Sequence, residues 1–141
     1  MILLDTNVVS ETWRPTPEPG VLEWIDAQAI ETLYLSAITV AEIRFGIAVL
    51  PVGKRRTILY DRFERDVLPL FAGRVVPFDL DASQAYADLM AQAKAAGHAI
   101  GNADGYIAAT AASRGFMVAT RDASPFAAAG LNVVNPWETA L

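Results

Sequence analysis

Four acidic residues stand where acids are costly. Asp5 ends the apolar run Ile2, Leu3, Leu4, and Glu42 lies inside the apolar segment AITVAEIRFGI. Asp104 opens the stretch NADGYIAATA, and Asp122 follows MVAT, two residues past Thr120. Burying a carboxylate is unfavourable unless it is paired or bound to a metal. A cluster of them cannot stay ionised together without a counter-charge. Oxygen ligands without imidazole or thiolate select hard cations, Mg²⁺ or Mn²⁺. Such an ion keeps several waters, lowers the pKa of one and neutralises charge on a phosphate under attack. The chemistry this pattern points to is phosphodiester hydrolysis.

Each acid also has a plainer explanation. Asp5 suits the N-cap of a short helix starting at Thr6 or Asn7. Glu42 stands three residues after Thr39, a capping-box spacing. Asp104 falls in a first helical turn, where the macrodipole favours an anion. Asp122, in RDASP, suits an Asx turn. Their conjunction is what favours a site. Asp5 and Asp122 end strands on one edge, and Asp104 begins a helix that feeds the fourth strand. Glu42 lies within an apolar helix, whereas a capping glutamate is more often left in solvent. Gly105, beside Asp104, costs a helix roughly 1 kcal/mol relative to alanine, so a close backbone approach is expected there.

The elements that must position these acids are legible as patterns. Strands are expected near 2–5, 33–36, 75–77, 117–120 and 132–134. Helical spacing recurs in 54–71 through Ile58, Leu59, Phe63, Val67 and Leu70, and in 81–96 through Ala82, Ala85, Tyr86, Leu89, Met90 and Ala93. Segments 39–50 and 102–114 are apolar nearly all round, which predicts buried helices. A further helix is expected near 19–29, after the surface loop RPTPEPG. Short strands separated by helices imply an α/β fold with a parallel sheet of about five strands covered on both faces. Ligands in such folds bind outside the carboxyl ends of the strands, where strand order reverses. Asp5 and Asp122 belong to that edge.

The chain has 141 residues, 53% of them hydrophobic, which suits one domain over 1–141. No apolar run approaches the roughly 20 residues of a membrane span. The N-terminus lacks the basic region and cleavage site of a secretory signal. There is no cysteine, which fits a reducing cytoplasm and excludes a thiolate metal site. The net charge of −5 argues at first against a nucleic-acid partner. Setting the four acids aside, however, leaves a near-neutral body. Lys54, Arg55 and Arg56 form a basic run with Arg62 and Arg65 nearby. That run reads either as steering for a phosphate backbone or as a solvated helix start. Trp13 and Trp24 read either as core or as contacts for a partner.

The blocks MILLDTNVVSE, TVAEIRFGI, NADGYIAATA, VATRDASPF and GLNVVNPWE together resemble the PIN-domain family, in the FitB-like branch of the VapC toxins. The similarity covers almost the whole chain and keeps the order and spacing of all four acidic blocks. It implies a three-layer α/β/α sandwich and a metal-dependent ribonuclease, the toxin of a type II toxin–antitoxin module. It also implies that Asp5, Glu42, Asp104 and Asp122 bind Mg²⁺ or Mn²⁺ and cut RNA. Some relatives carry asparagine where Asp122 stands. Thr6, Asn7, Thr120 and Arg121 are expected on the same basis to contact water, metal or substrate. A homodimer is implied, together with a cognate antitoxin of VapB or FitA type that covers the acidic groove. The antitoxin's other end would carry the complex to operator DNA.

Rival chemistries fit less well. A Ser-His-Asp hydrolase would use His98, the only histidine, yet no G-x-S-x-G elbow exists. His98 reads instead as a surface residue near the site entrance. A Mg²⁺-dependent phosphatase would want a second acid after the first strand, where Asn7 stands, and a phospho-receiver would want a lysine at a late strand end. Lys54 and Lys94 are the only lysines. A non-catalytic antitoxin-binding module remains the other alternative, against which all four acids are present.

Overall fold

The computed structural model describes residues 1–138. Five short strands, β1 (Ile2–Leu4), β2 (Leu33–Ser36), β3 (Val75–Val76), β4 (Met117–Ala119) and β5 (Val133–Val134), form one sheet in the order β3-β2-β1-β4-β5. Every pairing is parallel, with Leu3 opposite Tyr34 on one side and Val118 on the other. The chain winds outward from β1 in both directions. The reversal of strand order therefore lies between β1 and β4, and the crevice opens beyond Leu4 and Ala119.

Expected strand positions hold to within a residue or so at their ends. Asp5 keeps an extended backbone, and its N–H bonds the Ala119 carbonyl at 2.9 Å, but it already serves as the N-cap of the helix that follows. Pro77 has no amide donor for the ladder, and β3 stops before it.

Helices cover both faces. They are α1 (Thr6–Glu11), α2 (Pro19–Ala27), α3 (Ala37–Ala48), α4 (Lys54–Asp61), α5 (Leu80–Ala95), α6 (Asn102–Arg114) and α7 (Ser124–Ala128). Alternation along the strands splits the interior into two cores. Leu4, Leu35 and Ala119 face Val8, Val9, Ile43 and Phe63 on one side. Leu3, Val76 and Val118 face Leu89, Ile107, Ala108 and Phe126 on the other. The result is the three-layer α/β/α sandwich. Trp13 and Trp24 are half-buried, each with one side packed against the first core.

Three expectations need correction. The segment 54–71 is not one helix: α4 passes into a π-helical turn over Arg62–Val67 and then a 3₁₀ turn over Leu68–Phe71. Pro69 cannot continue an α ladder, and the wider turn leaves Phe63 fully buried. Nor is α3 buried all round. Thr39, Val40, Ile43 and Ile47 are buried and Ile38 is partly so, while Phe45 is 69% exposed. An apolar pattern on all sides does not reveal which side the sheet covers. The capping-box reading of Glu42 also fails, because Ser36 caps α3, its hydroxyl accepting from the Thr39 amide at 2.9 Å.

Other local readings stand. Pro19 occupies the first turn of α2, where its missing N–H costs nothing. The loop before it is exposed at Arg14, Pro15 and Thr16. Helix α6 buries Ile107, Ala108, Ala109, Thr110 and Ala111, and ends at Gly115 with φ 68°. A Cβ on Gly105 would lie 2.9 Å from Met90 Sδ and 3.1 Å from Tyr86 Cε2. The close approach expected there is the packing of α6 on α5.

Candidate functional site

Asp5 sits at the crevice, only 5% exposed. It caps α1, with Oδ1 accepting from the Thr6 amide at 2.8 Å. Its other oxygen, Oδ2, accepts from the Thr120 hydroxyl at 2.7 Å. Capping therefore occupies part of the carboxylate; each oxygen keeps a further lone pair. Burial pushes the Asp5 carboxyl up to about 6. The Thr120 and Thr6 hydrogen bonds pull it down, and the charges of Asp104 and Glu42 push it up again. The capping role of Asp5 leaves its carboxylate at the crevice.

Glu42 reaches the crevice from α3. Its Oε1 accepts from the Thr6 hydroxyl at 2.6 Å, and Thr6 Oγ1 lies 3.2 Å from Thr39 Oγ1. Thr6 thus ties the first turn of α1 to α3. Asp104 stands half-buried in the first turn of α6. Its carboxyl is raised by burial first, then by the charges of Glu42 and Asp122. Asp122 is exposed, with its amide donating to Thr120 Oγ1 at 3.2 Å and its Oδ1 accepting from the Ser124 hydroxyl at 3.4 Å.

All four acids therefore share one electrostatic neighbourhood. Asp5 feels Glu42 and Asp104, and Asp104 feels Glu42 and Asp122. They share a field rather than a finished coordination sphere. Among the described residues no three acidic or histidine side chains are already gathered tightly enough to hold an ion. The donor set is all oxygen, which suits Mg²⁺ or Mn²⁺ and excludes a soft-metal site.

The remaining expected site residues have internal partners. Asn7 Nδ2 donates to Thr120 Oγ1 at 3.5 Å, and Asn7 Oδ1 accepts from the Arg121 amide at 3.3 Å. Thr6, Asn7 and Thr120 thereby fix the acids in place. Arg121 is exposed beside them, its guanidinium 5.2 Å from the Trp137 ring centre and its carbonyl accepting from Asn135 Nδ2 at 3.1 Å. A cleft of about 280 Å³ runs past Asp104 and Asp122, rimmed by His98, Gly101, Ser124 and Pro125. His98 stands at the entrance.

Sequence reasoning missed Glu11. It is 3% exposed, accepting from the Glu18 amide at 2.8 Å and from Arg14 Nη1 at 3.1 Å. Burial pushes its carboxyl up, but these bonds and the charges of Arg14 and Arg121 win, so it lies below the usual range. The available signal was an acid one turn beyond Asn7 in DTNVVSE, ahead of a proline-rich loop that needs an anchor.

This geometry has close counterparts. The chain is 71% identical over 140 residues to the VapC ribonuclease Y4jK of Sinorhizobium fredii, covering 99% of this chain and all of that one. It is 53% identical over 137 residues to the toxin FitB of Neisseria gonorrhoeae, covering 97% and 99%. A solved structure of FitAB bound to an IR36 DNA fragment superposes with a TM-score of 0.95 at 52% identity, covering 98% of this chain and 96% of that one. The PIN domain model matches residues 2–131, and the chain belongs to the PIN-domain family.

Proposed function

We propose that this protein is a metal-dependent endoribonuclease, the toxin of a type II toxin–antitoxin module. One observation carries the reading: Thr6 bonds both Asp5 and Glu42, Thr120 bonds Asp5 and the amide of Asp122, and Asp122 lines one cleft with Asp104, so acids distant in sequence meet at one sheet edge. Asp5, Glu42, Asp104 and Asp122 would hold Mg²⁺ or Mn²⁺, which when bound supplies an activated water and charge neutralisation at the phosphorus. The chain's own contribution is position. Thr120 and the Thr6 amide hold the Asp5 carboxylate from two directions, and Thr6 orients Glu42. The crevice floor excludes water, since Asp5, Thr39 and Thr120 are buried. Arg121, held by Trp137 and Asn7, offers a cation to the substrate phosphate.

The relatives named as a ribonuclease and as a toxin support the activity. The likeness to a FitAB structure on DNA supports an antitoxin partner and recruitment to operator DNA. A homodimer would cover Phe45 and Val49, which lie one turn apart at 69% and 62% exposure, and sedimentation should show a species of twice the chain mass. Among the described residues no helix is long and apolar enough to cross a membrane, and we assign the work to the cytoplasm. Purified protein freed of its partner should cut RNA with Mg²⁺ or Mn²⁺ and stop in EDTA. Cleavage that persists in chelator would overturn the metal reading. An aspartyl-phosphate trapped on Asp5 would favour the phosphatase alternative.

A further inference from the structure

Some cations on this surface have an acidic partner among the described residues and others, Arg56 and Lys94 included, have none. Arg44, Arg65 and Arg114 are answered by Glu64, Asp61 and Asp79. Lys54, Arg55 and Arg62 are exposed and have no side-chain partner among the described residues. These three line one cleft of about 790 Å³, between the end of α1 and α4. Arg14 adds a fourth cation and Trp13 an aromatic wall, with its far flank packed edge-on against Phe63 at 5.9 Å. In a chain of net charge −5, this concentration of unanswered positive charge is out of character. It also has a folding cost, since the first turn of α4 holds cations, no acid and no side-chain cap. An external anion would offset that cost.

The cleft and the acidic site lie at the two ends of α1. Helix α1 starts at Asp5 and delivers Ser10 to the cleft, a rise of ~7.5 Å over five residues. A nucleotide or two spans that distance. Glu11 joins the two places from below, bonded to Arg14 in the cleft and within the field of Arg121 at the site mouth.

We propose that this cleft holds the single-stranded arm of the RNA substrate beside the cut bond. Lys54, Arg55 and Arg62 take backbone phosphates, and Trp13 offers a stacking face to a base. A basic groove interleaved with an aromatic is the general solution for single-stranded nucleic acid. The assignment rests on the ribonuclease reading, because it is the acidic site at its end that marks RNA rather than an acidic protein segment as occupant.

The test measures binding apart from cleavage. A fluorescent single-stranded RNA oligonucleotide is titrated with full-length protein in EDTA at several salt concentrations, and cleavage with Mn²⁺ is followed in parallel. The variant K54Q/R55Q/R62Q should bind at least about tenfold more weakly, with a salt slope flatter by about 2. The control R65Q/R114Q, which removes charge elsewhere, should change affinity less than about twofold. Unchanged affinity and slope in the triple variant would overturn the cleft while leaving the ribonuclease standing, provided the parent cuts. A control that loses as much as the triple variant would overturn it too. A triple variant that keeps RNA but releases an acidic amphipathic peptide would make this a protein-docking surface instead. Parent protein that binds RNA through the cleft but never cuts it would sink the nuclease reading and with it the cleft's place beside a cut bond, leaving an RNA-binding groove.

Discussion

The two ends of α1 are built on opposite terms. At its start Asp5, Thr6, Asn7 and Thr120 are locked in hydrogen bonds, and Asp5 and Thr120 are buried. At its far end Arg14, Lys54, Arg55 and Arg62 reach into an open cleft, three of them with nothing to hold them. The contrast suits the two jobs proposed for these ends. Positioning a metal and a water tolerates little misplacement, so the entropy of ordering must be lost before substrate arrives. Gathering a flexible polyanion needs charge density and tolerates mobility.

That contrast can be broken at the rigid end first. Asp5→Asn should lower RNA cleavage by about a hundredfold or more if Asp5 holds the metal as proposed, a charge worth several kcal/mol of transition-state stabilisation; single-turnover assays would show it, and growth arrest on expression should vanish with it. Thr120→Val keeps the shape but strips the hydrogen bond to Asp5 Oδ2. It should weaken Mn²⁺ affinity by roughly 10–100-fold, as outer-shell changes do, with circular dichroism unchanged.

The Asp5 carboxyl also sharpens the comparison through pH. Its value is raised from 3.8 to about 6, so between those values the folded chain binds more protons than the unfolded one. Metal-free stability should therefore fall as pH rises from about 4 through 6, by up to about 3 kcal/mol from this group. Urea titrations at pH 4.5 and 7 would measure it. In Asp5→Asn that component of the pH dependence should disappear. Saturating Mn²⁺ should reverse its sign, because bound metal favours the charged form.

Glu11 is the hinge between the two ends. Glu11→Gln should cost about 1–3 kcal/mol by loosening the bonds to Glu18 and Arg14, and should affect RNA binding more than metal binding. The smallest effect is expected at Phe45→Ser, which exposes no core. It should leave the stability of the single chain within about 0.5 kcal/mol while shifting sedimentation toward monomer.

Much of this was legible before any coordinates. Short apolar runs set the five strands, and the acids after Leu4 and Thr120 were placed at the carboxyl edge of the sheet, where the structure has them. Helix α6 announced itself by its apolar length, and Gly105 by its cost. What stayed hidden depends on tertiary context. The all-apolar α3 did not say that Phe45 would be left outside. The period of 54–71 continued through a π turn because Phe63 stays on the buried face. Glu11 looked like any exposed helical acid until a loop folded back onto it. Thr6, Asn7 and Thr120 were expected to face substrate; their partners turned out to be the site's own residues.

The claim beneath the rest is that four carboxylates answer to one divalent ion. Electron paramagnetic resonance of Mn²⁺ titrated into the protein, its Asp104→Asn variant and its Glu42→Gln variant addresses it directly. The account predicts saturable binding to the parent and at least about tenfold weaker binding in each variant. Equal affinity in all three proteins would contradict it.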